Sequence, residues 1–123
     1  MLIRDIRNGQ YRRVMDHSDL CEILHPKQGR ETGDLPCSIA HAIVPAGETT
    51  LPHRLRTSAE FYYILAGTAK MHIGGESEEL VTGQIVLIPP GAVQYIENTG
   101  SGDLCFLCIV VPAWQEKDEE LVL

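Results

Sequence analysis

Short β-rich runs recur between turn signals along this chain, and no segment carries a helical stripe of hydrophobic positions over about eleven residues. The pattern predicts strands over residues 11–15, 20–24, 37–44, 51–56, 60–65, 68–73, 78–81, 84–88, 93–97 and 104–111. Glycine and proline clusters separate them at 26–33, 45–47, 67, 74–75, 83, 89–91 and 100–102. Glycine supplies positive φ and proline presets φ at turn entry, so these clusters reverse the chain. Residues 25–35 form the longest polar interruption and read as a loop. Short strands at this spacing predict an all-β sandwich or closed barrel, either of which limits exposed strand edges.

A length of 123 residues suits one domain with a real core, spanning 1–123. The net charge of −7 disfavours nucleic acid, because binding phosphate needs the opposite sign. Arg4, Arg7, Arg12 and Arg13 are scattered and read as a solvated face. Residues 112–123 read as an acidic, exposed tail with room for a helical turn, and Trp114 as its anchor on the barrel or on a partner chain. No apolar run reaches membrane-spanning length and the N-terminus lacks a signal-peptide core, so we expect a cytoplasmic protein with no membrane partner. Cys105 and Cys108 form a C-x-x-C, but strand alternation sends them to opposite faces, which disfavours a shared metal or disulfide.

Candidate chemistry follows from the same alternation. Glu60, Tyr62 and Ile64 share one face, as do His53 and Leu55, and Gln94 and Ile96. Residues 56–59 read as a turn that returns Glu60 beside His53 on the neighbouring strand. An imidazole and a carboxylate inside a barrel need each other or a cation, because an unpaired buried charge is costly. His41 falls in a parity set with Ile39 and Ile43 and could face the same interior. Tyr62 and His41 are therefore the candidates for positioning a substrate or moving a proton. The plainer alternative is that His53, Glu60 and Gln94 satisfy one another and Tyr62 packs as a core aromatic.

The spacing of these residues resembles the cupin superfamily of small double-stranded β-helix barrels. Gly47, His53, Glu60 and Gly67 meet its first motif, G-x5-H-x-H-x3,4-E-x6-G, with Leu55 in place of the second histidine. Gly83, Pro89, Gly91 and Asn98 meet its second, G-x5-P-x-G-x2-H-x3-N, with Gln94 in place of the histidine. The resemblance covers residues 37–111. It implies a jelly-roll-like barrel, a homodimer paired through outer strands, and a metal centre that other members build from three histidines and a glutamate. Carried over, His53, Glu60 and Gln94 would hold the metal, a harder oxygen-rich set that favours manganese, iron or zinc. The expected function is the handling of a small polar molecule, as an isomerase, lyase or oxygen-dependent enzyme. The alternative is a non-catalytic binding or scaffold barrel without a functional metal.

Overall fold

The computed structural model describes all 123 residues. Eleven strands follow in order: β1 (Arg12–Arg13), β2 (Asp19–Leu24), β3 (Ser38–Val44), β4 (His53–Leu55), β5 (Ala59–Ala66), β6 (Thr68–Ile73), β7 (Glu76–Val81), β8 (Ile85–Ile88), β9 (Gln94–Asn98), β10 (Leu104–Val111) and β11 (Glu119–Leu121). They form a six-stranded sheet, β1-β2-β3-β10-β5-β8, and a five-stranded sheet, β11-β4-β9-β6-β7, with antiparallel neighbours throughout. Helical structure is confined to three 3-10 turns, at Ile6–Asn8, Arg30–Thr32 and Glu116–Asp118. No helix is long and apolar enough to cross a membrane. The all-β class is the one that the strand pattern predicts, and the double-stranded β-helix barrel is the one that the family resemblance implies.

Alternation decides what fills it. The six-stranded sheet contributes Ala40, Ala42 and Val44 from β3, Tyr62 and Ile64 from β5, and Leu104, Phe106 and Cys108 from β10. The facing sheet contributes Ala69, Met71, Leu80 and Ile96. One end of the barrel is plugged by bulky groups: Phe106 lies opposite Ile64 and Ala42, and Leu104 opposite Val44. Toward the other end the same strands carry Ser38, Ala40, Glu60 and Val110. The small Ser38 and Ala40 leave space there, and a cavity of about 790 Å³ opens among these residues. Cys108 points into the core and Cys105 lies on the outer face, and all four cysteines are free.

Two expectations need correction. Residues 112–123 are not an exposed tail: after a 3-10 turn the chain adds β11 along β4, pairing Glu119 with Leu55, Glu120 with Arg54 and Leu121 with His53. Asp118 anchors the approach by accepting from Thr57 N (3.0 Å), Thr57 Oγ1 (2.7 Å) and Ser58 N (3.1 Å), and Glu120 accepts from Arg54 and Arg56. Charge hid this strand, because its acidic side chains find partners only in three dimensions. Nor do His53 and Glu60 lie on neighbouring strands: β4 and β5 belong to different sheets, so the two residues meet across the barrel.

Gly67 turns β5 into β6 at φ +92°, and a Cβ there would meet the Asp103 carbonyl oxygen at 2.9 Å. Left-handed backbone costs an L-residue about 1–2 kcal/mol before any clash. Gly67→Ala is therefore expected to lower the unfolding free energy by at least about that amount, read as a lower urea midpoint. An unchanged midpoint would contradict the turn geometry.

A candidate ligand cavity at the open end of the barrel

Each cavity residue is placed by a distinct local device. His53 (2% exposed) stands opposite Gln94 (0% exposed), which puts both side chains on the inner face. The Leu51 carbonyl accepts from His53 Nδ1 at 2.6 Å, so the proton sits on Nδ1 and Nε2 faces the cavity. Glu60 reaches in from the opposite sheet and accepts from Gln94 Nε2 at 2.8 Å. Gln94 Oε1 is buried and has no partner. Tyr62 lines the cavity one step inward from Glu60, its ring against Phe106 at 4.5 Å between centroids and its hydroxyl without a protein hydrogen bond.

Two contributors, Asp16 and Glu119, escaped the sequence reading, which gave Trp114 only as an anchor. Asp16 sits in a tight turn where His17 has φ +70°. Its Oδ1 accepts from Ser18 N (2.9 Å) and Oγ (2.7 Å), while Oδ2 stands 3.5 Å from His53 Nε2. The Asp16 carbonyl also accepts from Leu51 N at 2.8 Å, which ties this turn to the residue that orients His53. Glu119 faces the cavity from β11, opposite Leu55, the position where the second motif histidine is missing. Trp114 donates its indole N–H to Glu119 Oε1 at 3.0 Å. The Trp114 backbone is fixed by Ser38 Oγ at 2.9 Å and by His25 Nε2 at 2.8 Å. The Asp-His-Ser turn and the Glu119–Leu121 alternation were the available signals, and neither points to a cavity without the fold.

His41 is placed elsewhere. The interior face of β3 is Ala40, Ala42 and Val44, so the intervening His41 lies on the outer side of the sheet, where Nδ1 meets the Tyr11 hydroxyl at 2.8 Å. The parity set was sound, but its inward face was misassigned because both faces of β3 are apolar. His41 does not line the cavity. His72 also lies on an outer face, stacked on Tyr95 at 4.1 Å and bonded to Glu97 at 2.9 Å.

The electrostatics are dominated by carboxylates. Burial pushes Glu60 up to about 8, partly opposed by the Gln94 hydrogen bond and reinforced by Asp16 and Glu119. Burial also raises Glu119, with Trp114 and His53 acting the other way. Tyr62 is held well above the usual phenol range by burial and then by Glu60. No three His, Cys, Asp or Glu side chains converge on one point as a metal cluster. A metal at the motif positions would use His53 Nε2, a Glu60 oxygen and Gln94 Oε1. That donor set fits a hard divalent ion, because the amide oxygen is unengaged and the imidazole lone pair is aimed inward.

A cupin domain model matches residues 40–110. The chain belongs to the cupin family. This cupin is 38% identical over 107 residues to an uncharacterized protein of Methanocaldococcus jannaschii, covering 87% of the chain and 83% of the relative. It is 28% identical over 109 residues to an oxalate-binding protein of Thermotoga maritima, covering 89% and 84%. Among solved structures, the nucleoside dehydratase Pac13 superposes with a TM-score of 0.78 at 17% identity, covering 99% of this chain and 91% of that one. That likeness establishes the fold alone.

The raised Glu60 carries a pH signature for the metal-free protein. Between about pH 4.5 and 8 the folded state keeps a proton that the unfolded chain has released, so stability falls as pH rises through this window. The slope is up to about 1.4 kcal/mol per pH unit. Urea titrations across the window should show the decline in the parent and a flatter profile in Glu60→Gln. Parallel profiles would mean that Glu60 does not titrate as a buried acid.

Proposed function

We propose that this cupin holds a divalent transition metal through His53, Glu60 and Gln94 and binds a small polar metabolite in the cavity above it. The carrying observation is Gln94 Oε1, a buried acceptor without a partner beside a buried carboxyl that no cation offsets. An orphaned buried polar atom costs about 1–3 kcal/mol, and a bound cation relieves it together with the desolvated carboxylate. The donor set of one imidazole and two oxygens suits manganese, iron or zinc. A metal there supplies Lewis acidity toward a carbonyl or hydroxyl. The chain's own contribution is positional: Leu51 orients His53, Gln94 holds Glu60, and Tyr62 offers an unpartnered hydroxyl to a ligand oxygen.

A metal-free binding barrel is the second reading, favoured by the hydrogen bond Gln94 already gives Glu60 and by a carboxyl kept protonated near neutral pH. Metal analysis of protein purified without added metal separates the two. The metal reading expects close to one equivalent per chain, with losses of at least about tenfold in affinity in His53→Ala and Gln94→Ala. Less than about a tenth of an equivalent, or retention in both variants, would overturn it.

The outer face of β10, β5 and β8 supports a homodimer. Tyr63 and Leu65 are each 38% exposed, Ile85 57% and Leu87 54%, and Leu107 and Ile109 continue the face without a charge. A face free of charge on a chain of net charge −7 suits a self-complementary contact. Light scattering should give twice the 13.6 kDa chain mass, and Leu87→Glu should return it to one. A parent protein that stays monomeric would refute the dimer. The four free thiols fit a reducing compartment, and we assign the chain to the cytoplasm on that ground.

A further inference from the structure

The cavity wall carries acid that neither cupin motif supplies. Asp16, Glu116 and Glu119 line it together with Glu60, while Arg12 and Arg13 stand on β1 at the exposed mouth. Arg13 is already engaged by Asp19 and Glu48, at 3.2 Å and 3.0 Å. Asp16 Oδ2 stands 3.5 Å from His53 Nε2, and the Asp16 charge adds to the burial that raises Glu119. These groups line one common space, and no three of them converge on one point. That space also receives the hydroxyl of Tyr62, a residue 3% exposed whose phenol has no protein partner. A hydroxyl without a protein partner, facing an open cavity of about 790 Å³, leaves room for a molecule larger than an ion.

We propose that the cavity selects an organic cation, a small molecule bearing an ammonium or guanidinium group, and that Asp16 and Glu119 receive that group. Placing a cation between two partly desolvated carboxylates removes their mutual repulsion as well as adding attraction. The Trp114 indole beside Glu119 adds an aromatic surface for the same charge. Tyr62 takes the polar remainder of the ligand. The acidic lining disfavours a dianion such as the oxalate named for the Thermotoga maritima relative, with Arg12 the one lining arginine outside an ion pair. The inference rests on the cavity being the ligand site and is independent of a metal at His53, Glu60 and Gln94.

Trp114 is the only tryptophan, so its indole ¹H–¹⁵N signal reports on Glu119 directly. The probes are 1,4-diaminobutane, 1,4-butanediol and succinate, which share a four-carbon chain and differ in charge. Diaminobutane should move the indole signal saturably, at least about tenfold more tightly than the diol, and succinate should leave it in place. Glu119→Gln, which keeps an acceptor for the indole, should weaken the diamine at least about tenfold, and Asp16→Asn should act in the same direction. Equal responses to the three probes, or an unchanged diamine response in both variants, would overturn the proposal. Saturating zinc should leave the diamine response intact; zinc that abolishes it and drives the indole to the same end point would make the wall a metal site instead. A protein without metal that still answers to diamine would sink the metal assignment alone.

Discussion

Glu60 carries its carboxyl into the interior of a β-barrel, where removal from water costs more than one hydrogen bond returns. The neighbouring geometry follows from that cost. Gln94 must lie on the inner face of β9 to reach Glu60, and its pairing with His53 places the imidazole beside them. The Leu51 carbonyl then settles which ring nitrogen looks into the cavity. With Asp16 and Glu119 added, the carboxyl is raised further, so the wall stores an electrostatic demand for positive charge.

The cavity exists because large and small inward residues are segregated along the same strands. Phe106, Ile64, Leu104 and Val44 fill one end, whereas Ser38 and Ala40 cannot fill the other. A barrel packed evenly to native density would have no room for a ligand. The C-terminal segment finishes the open end by adding β11 to β4, with Asp118 and Glu120 fastening it to Thr57, Ser58, Arg54 and Arg56. Fastening carries Glu119 and Trp114 to the cavity wall. One short strand thereby protects an edge and equips the site.

Parity and turn spacing made much of this readable. All ten strands expected from the pattern are present, and the inward placement of His53, Glu60, Tyr62 and Gln94 follows from period-two alternation with glycine-anchored spacing. His41 was misread because Ile39 and Ile43 are as apolar as Ala40 and Ala42, so periodicity identified two faces without saying which was inner. β11 was missed because three of its neighbouring positions, Asp118, Glu119 and Glu120, are acidic, and an acidic run reads as solvated until its partners are known. Asp16 lay in a turn with no periodicity at all.

Local chemistry in the sequence was enough to determine the all-β class, the turn positions and the set of side chains that can share a face, since each depends on neighbours within a few residues. The tertiary structure alone decided which face is the interior, that His53 and Glu60 oppose each other across two sheets, and that Asp16 and Glu119 join them. Those relations depend on long-range pairing: residues 16, 53, 60, 94 and 119 come from five separate segments. Only closure of the barrel brings their charges within reach, where burial lets them act on one another.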